Sequence, residues 1–341
     1  MKKRTKRNTV TNVILIIVFA ILIVYSLAVI LSLVWALLTS LKSWYDFEGR
    51  IPGVSGKNYL GFPNLDSTLV NTKGTPYHSR REFFQLYNYK TIIENFVVNK
   101  KVAYYVSGAS EKISHATKVW FGDPNKGATF IDILINTILY TIGGAGIMCF
   151  MPALTAYITA KYDYAWCKVL HMINIVIMCI PVVGRYPTEL AFLRNSGLYD
   201  TMLGNYVQKM TGSGTYYLVY YAFFKGLSNV YRDAASIDGA SEWTITFRIY
   251  FPLAQKMILT VFLIQFVNLW NDYQTLYLYL PSYPTLAYSV FYLVIESSNS
   301  ALKTIPRVMA SCMLLALPIM ILFIIFKDKL MGSISLGGIK E

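Results

Sequence analysis

Long apolar runs separated by polar stretches set the layout of this chain. Residues 10–38 are almost continuously apolar, well beyond the roughly 20 residues that cross a bilayer as a helix. From about residue 43 to 128 the pattern breaks up. Gly, Pro, Asn and Tyr recur there, and only short runs such as 82–86 and 92–96 read as helices. Apolar runs return near 130–160, 168–188, 205–228, 256–280 and 306–326, which predicts an all-α membrane protein with six transmembrane helices. Gly143, Gly144 and Gly146 in the second run predict close helix contact. Pro152 and Pro181 predict kinks, which neighbouring helices can satisfy.

One polar, charged island interrupts these runs at 229–252. Ser228 or Asn229 can cap a short helix there. Val230, Ala234 and Ile237 then fall on one face at helical spacing. Gly239 suits the position just past the helix end, where a positive φ costs a residue without Cβ little. Ser241 can cap a second helix, with Glu242 near its positive end. Trp243, Phe247, Tyr250 and Phe251 form that helix's apolar stripe, and Pro252 is expected to stop or kink it. The small residues Ala234, Ala235, Gly239 and Ala240 keep the first helix thin enough to enter a groove in another protein. The bland reading is a helix-turn-helix connector between spans.

Composition fits a membrane protein with a substantial water-exposed part. Of 341 residues 55% are hydrophobic and 14% charged, and the mean hydropathy is +0.43. A soluble domain carries about 25% charged residues. The net charge of +13 is divided between membrane flanks and the 43–128 loop, where anionic lipid and topology explain it and nucleic acid is not implied. Cys149, Cys167, Cys179 and Cys312 lie in or beside apolar runs and suggest no disulfide framework. His78, His115 and His171 have no metal-ligand spacing. The chain carries no G-x-x-x-x-G-K-[ST] phosphate loop, so no bound cofactor is expected. Lys2, Lys3, Arg4, Lys6 and Arg7 before the first run predict a cytoplasmic N-terminus and an uncleaved first span.

The island's spacing carries more. Asp233 is followed by Ala234 and Ala235, three residues, Gly239, nine residues, Ile249, and then Phe251-Pro252 after one intervening residue. This resembles the E-A-A-x3-G-x9-I-x-L-P loop of binding-protein-dependent ABC importer permeases, with Asp233 in place of Glu and Phe251 in place of Leu. Other elements are similar to the maltose-type (MalG-like) carbohydrate-uptake branch. They are Asn136-Thr137 with Tyr140, Gly197-Leu198 with Thr201, Ile237-Asp238-Gly239-Ala240-Ser241, Phe266 with Trp270-Asn271, and Gly337-Gly338 with Lys340. The long loop between the first two spans resembles that of permeases for larger oligosaccharides or polysaccharides in Gram-positive bacteria.

The resemblance implies an ABC importer (type I) permease fold in a bacterial cytoplasmic membrane, multi-pass, with both termini cytoplasmic. Residues 1–42 would hold the cytoplasmic N-terminus and first span, 43–128 an extracellular cap, and 129–341 a five-helix core with the coupling loop at 229–252. Asp233, Ala234, Ala235, Gly239, Ala240, Ile249 and Pro252 would couple the chain to an ATPase. Its partners would be a second homologous permease, two ATP-binding cassette ATPases that carry the enzymatic activity, an extracellular solute-binding protein, membrane lipid and a carbohydrate substrate. In that family the partner permease supplies most sugar contacts, and the loop corresponding to 281–303 reaches into the binding protein.

Two sets of polar residues are candidates for a substrate pathway. Gln265, Asn268 and Asp272 stand at i, i+3 and i+7 in the fifth run, where polar groups are expensive and commonly face a cavity. They read equally as bonds between helices, with Asp272 at the membrane interface. Tyr217 and Tyr221, one turn apart, line a cavity face or belong to an interfacial belt. A permease for a non-sugar solute and a membrane-embedded glycosyl-transfer enzyme are the competing readings. The second of these needs paired carboxylates or a D-x-D near an interface, and neither stands out in the sequence.

Overall fold

The computed structural model describes residues 9–48, 59–62, 86–95, 97–105, 112–121, 123, 125–180, 184–297 and 302–332. The N-terminal basic cluster, His78, Phe83-Phe84, Pro181 and the Gly337-Gly338 element lie outside them. The chain forms two compact units, Met1–Asn95 with Glu296–Ala316, and Phe96–Ile295 with Leu317–Glu341.

In the first unit, α1 (Thr9–Ser40) is a 32-residue helix built from Val, Ile and Leu, and residues 12–34 are exposed along it. Its C-terminal end is tied down. The side-chain amide of Asn88, on α3 (Tyr87–Asn95), donates to the carbonyls of Ser40 and Lys42 at 2.9 and 2.8 Å. Ser40 Oγ and Tyr89 Oη lie 2.6 Å apart. A short helix, α2 (Trp44–Glu48), follows α1.

The second unit begins with an antiparallel hairpin, β1 (Lys101–Tyr105) paired with β2 (Lys112–Ala116). Tyr104 packs with Leu193, Tyr199 and Tyr279 in a small core. A long helix follows as α4 (Phe130–Ile138), a π-helical turn (Leu139–Gly143) and α5 (Gly144–Lys161). Asp132 begins it with a capping box, accepting from the Thr129 N–H and Oγ1 at 2.9 and 2.7 Å. Next come α6 (Ala165–Cys179), α7 (Arg185–Asn195), α8 (Met202–Lys209), α9 (Thr215–Gly226) and α10 (Val230–Ile237). Then α11 (Glu242–Ile245), a second π-helical turn (Thr246–Tyr250) and α12 (Phe251–Trp270) run on as one helix. Three helices end the described chain, α13 (Gln274–Tyr279), α14 (Leu286–Ile295) and α15 (Ile305–Gly332). The main core lies among α5, α9 and α12, on Ala153, Ala156, Tyr157, Tyr217, Tyr220, Phe224, Tyr250 and Ala254. A Cβ on Gly144 would stand 2.7 Å from Leu269 Cδ1, so this glycine permits the close approach of α12.

The architecture differs from the six-helix, all-α expectation. Among the described residues four helices are long and apolar enough to cross a membrane: Asn12–Ser40, Phe130–Lys161, Glu242–Trp270 and Ile305–Phe326. The chain is thus a multi-pass membrane protein. The third expected span, 168–188, reduces to the 15-residue α6. Its cap Ile180 is extended (φ −80°, ψ 119°), as the residue before a proline tends to be. The fourth, 205–228, divides between α8 and the 12-residue α9, because Gly214 at φ +117° breaks the path between them. At 1.5 Å per residue a 12-residue helix is about 18 Å long, short of a hydrocarbon core of about 30 Å. The fifth span starts earlier and ends earlier than 256–280. Pro252 does not stop the helix: it follows directly on the π-helical turn, at the start of α12. The β1–β2 hairpin departs from all-α. Within residues 43–128, Phe47 and Tyr104 are buried while Trp120 and Phe121 are exposed.

Candidate functional site

The polar island folds as two helices joined by a tight turn. Ser228 Oγ accepts from the Val230 N–H at 3.2 Å, while Asn229 makes no side-chain cap bond. At the far end of α10, Gly239 has φ +77°. Its N–H donates to Ser236 O at 3.1 Å and the Ala240 N–H to Ala235 O at 2.9 Å. This pair of bonds is the Schellman closure, which satisfies carbonyls the helix would otherwise leave open. Ser241 caps α11 by accepting from Thr244 N at 3.4 Å.

The two sides of α10 differ. Ala235 is buried in the main core, and Ala240 and Ile249 pack against it. Val230, Ala234 and Ile237 point the other way: Val230 is 67% and Ile237 87% exposed, and Ala234 and Asp233 are exposed as well. An apolar stripe standing clear of its own protein is the geometry of a helix that enters a partner's groove. Trp243, 73% exposed, extends the apolar surface.

Side chains from the end of α5 hold this loop. Arg232 Nη2 donates to Glu242 Oε1 at 2.7 Å and its Nη1 to Lys161 O at 3.3 Å, with the guanidinium 4.4 Å above the Tyr162 ring. Tyr162 Oη donates to Glu242 Oε2 at 2.6 Å, and burial together with this bond raises the Tyr162 pKa. Lys161 Nζ donates to Leu227 O and Asn229 Oδ1. The Arg232–Glu242 pair is partly exposed, so it is worth about 1 kcal/mol or less. Glu242→Gln is therefore expected to lower the thermal unfolding midpoint of the detergent-solubilised protein by no more than about 4 °C. A loss of expression would show the clamp to be essential to the fold instead.

The candidate pathway residues do not share one surface. Gln265 is buried and accepts from Asn268 Nδ2 at 3.2 Å, and Asn268 opens onto an apolar groove lined by Leu263, Phe266, Met320 and Phe323. Asp272 lies beyond the end of α12 at Trp270, so the i+7 spacing no longer puts it on the same face. It accepts from Tyr140 Oη at 2.7 Å and the Thr275 N–H at 3.0 Å. Tyr217 is buried, its hydroxyl 2.9 Å from Thr159 Oγ1 and 2.8 Å from His171 Nδ1. Tyr221 stacks on His171 at 4.0 Å. These two tyrosines join helices α5, α6 and α9.

Asp272 instead borders a polar cavity of about 200 Å³ with Arg185, Glu189, Gln208, Lys209 and Tyr279. Glu189 accepts from Arg185 Nε at 2.6 Å, Gln208 Nε2 at 2.8 Å and Tyr279 Oη at 3.0 Å. Burial alone would raise the Glu189 pKa, but these three donors outweigh it and bring it down. Lys209 is buried, with Nζ bonded to Asn205 Oδ1 and 4.6 Å from the centre of the Tyr140 ring. Burial lowers its pKa to about 8. Of this group, sequence reasoning singled out Asp272 alone. The signal was an ionisable residue inside an otherwise apolar run, which argues for a cavity. Among the described residues no cluster of three or more His, Cys, Asp or Glu side chains could hold a metal ion.

The short elements elsewhere have structural roles. Asn136 accepts from Trp120 Nε1 at 2.8 Å and donates to Pro284 O at 3.2 Å. Thr137 Oγ1 accepts from the Leu286 N–H at 2.9 Å. Asp200, at φ +57°, accepts from the Ser282 N–H at 2.9 Å and lies 3.0 Å from His115 Nδ1. Together they hold the hairpin and the 281–286 segment against the start of the second long helix.

Residues 150–334, more than half of the chain, match the family described as binding-protein-dependent transport system inner membrane component. The chain is 23% identical to the diacetylchitobiose uptake system permease protein NgcG of Streptomyces coelicolor, over 63% of this chain and 70% of that protein. It is 25% identical to the melibiose/raffinose/stachyose import permease protein MelC of Bacillus subtilis, over 64% of this chain and 80% of that protein. Its fold resembles a chain in the crystal structure of a bacterial ABC transporter involved in import of the acidic polysaccharide alginate. The TM-score is 0.67 at 16% identity, over 95% of this chain and 99% of the other.

Proposed function

We propose that this chain, which belongs to the family of binding-protein-dependent transport system inner membrane components, is the permease subunit of an ABC importer that carries an oligosaccharide or polysaccharide fragment across a bacterial cytoplasmic membrane. The chain itself is not an enzyme; ATP hydrolysis belongs to separate subunits. The observation that carries the reading is the exposed Val230–Ala234–Ile237 stripe on α10, closed by the turn at Gly239. An ATPase subunit receives that stripe in a cleft, with Asp233 at its edge. Ala235, Ala240 and Ile249 transmit the movement inward through the core they pack on, and Pro252 begins the helix that carries it. The names of the related permeases support a saccharide cargo.

The other components are a second, homologous permease, two ATPase subunits and an extracellular solute-binding protein. The four spans among the described residues, with a cytoplasmic N-terminus, return the C-terminus to the cytoplasm. The segment between the second and third spans then starts and ends on the cytoplasmic side, in keeping with Lys161, Lys225 and Arg232 there. Residues 43–128 form an extracellular cap, which meets the binding protein or braces the assembly.

The test is reconstitution of the chain with its partners in proteoliposomes. ATP-dependent uptake is measured for raffinose, stachyose, diacetylchitobiose and trigalacturonate. Uptake of at least one is expected, and uptake of none would refute a saccharide cargo. Gln265 and Asn268 bound the path in this reading, so Asn268→Leu is expected to slow uptake about tenfold or less while binding-protein-stimulated ATPase activity persists. Failure of the subunits to assemble would make these two residues interhelical bonds.

A further inference from the structure

We propose that the cavity bordered by Arg185, Glu189, Gln208, Lys209, Asp272 and Tyr279 binds one neutral pyranose ring of the cargo, so that this subunit has a sugar site of its own. The inference rests on the reading of the chain as a saccharide permease. It adds a site that neither the coupling loop nor the Gln265–Asn268 pair contains.

Size comes first. The cavity holds about 200 Å³, the space of about six or seven waters at roughly 30 Å³ each. That is room inside it for about one sugar ring. Charge comes next. Arg185 and Lys209 are cationic and Glu189 and Asp272 anionic, two against two. A carboxylate or phosphate cargo would meet as much repulsion as attraction. A sugar hydroxyl both donates and accepts, and charged partners make its hydrogen bonds strong.

The polar groups are already held in place. Three donors fix Glu189, and Tyr140 and the Thr275 N–H fix Asp272, so little side-chain ordering is left to oppose binding. Among the described residues Lys209 Nζ makes one hydrogen bond, to Asn205 Oδ1, and an ammonium has three to give. Gln208 Oε1 is buried and accepts no hydrogen bond from any described residue. Met148 and Leu269 supply an apolar wall, as the C–H face of a pyranose requires.

The alternative is a charge cluster that only braces α7 against α13. Such a cluster gains by closing around its own bonds, because unfilled space forfeits contacts. This one leaves the space open and keeps a buried lysine beside it. A buried ionisable group is costly, and such groups gather at functional sites.

The experiment uses the complete importer in proteoliposomes, with raffinose as the neutral probe and trigalacturonate as the acidic one. Gln208→Leu removes the carboxamide at nearly constant size. Thr211→Trp fills the cavity from Thr211, an exposed residue that lines it. Both variants are expected to raise the KM for raffinose uptake about tenfold or more, with binding-protein-stimulated ATPase activity unchanged. Raffinose density in the cavity of the wild-type importer, trapped with an ATP analogue and imaged by cryo-electron microscopy, is the second expected result. Unchanged raffinose KM in both variants would overturn the proposal, as would an empty cavity in the raffinose-loaded map. Uptake of trigalacturonate with the same sensitivity, and none of raffinose, would overturn neutrality. Failure of the saccharide reading is a separate outcome, in which wild-type importer takes up none of the four saccharides.

Discussion

Gly239→Val is expected to reduce ATP-driven uptake at least tenfold while leaving the protein inserted and folded. The backbone at Gly239 is left-handed, at φ +77°. A Cβ there meets nothing within 4 Å, so the cost of the change is conformational and not a clash. A β-branched residue forced into that region pays about 1–3 kcal/mol. The chain can escape by opening the turn, which breaks the bonds from the Gly239 and Ala240 N–H groups to Ser236 and Ala235. Either way the link between α10 and α11 loses its fixed angle. Ala235 is the only residue of α10 in the main core, so the rest of that core should survive. Measuring uptake and ATPase activity of the same proteoliposomes checks this. Gly239→Asn, which tolerates the left-handed region better, should recover most of the uptake. Wild-type uptake by the valine variant would mean that the angle of this turn does not matter.

Ala234→Trp is expected to prevent the ATPase subunits from co-purifying with the permease. Ala234 is exposed at the centre of the stripe between Val230 and Ile237. A tryptophan there adds bulk where a groove has to close. The isolated permease should hardly notice, because exposed substitutions away from special features stay within about 0.5 kcal/mol. An unchanged unfolding midpoint with lost co-purification is therefore the expected combination. Co-purification at the wild-type level would put the docking surface elsewhere on the protein.

Local chemistry made the 229–252 loop legible in the sequence. Its helix face, its caps at Ser228 and Ser241 and its glycine turn depend on neighbours within a few residues, and the chain spells these out. The first and second long helices were legible too, since an apolar run much longer than 20 residues has few other uses. Helix lengths in the middle of the chain were not. Hydropathy cannot tell a span from a shorter helix packed in a bundle, and a backbone break such as Gly214 at φ +117° leaves hydropathy unchanged. The i+7 relation of Asp272 to Gln265 failed for the same reason, because the helix ends at Trp270.

The polar cavity is the clearest case of what only the tertiary structure decided. Arg185 and Glu189 come from α7, Gln208 and Lys209 from α8, Asp272 from beyond α12 and Tyr279 from α13. Arg185 and Glu189 pair at i and i+4 within α7, but no local spacing joins that pair to the others. Desolvation and hydrogen bonding do, since each charge can leave water only where the others compensate it. The sequence determined a membrane protein with a short helix closed by a glycine turn at 229–239, through periodicity and turn chemistry. Folding decided which of its scattered charges share a cavity, because that follows from packing between helices distant along the chain.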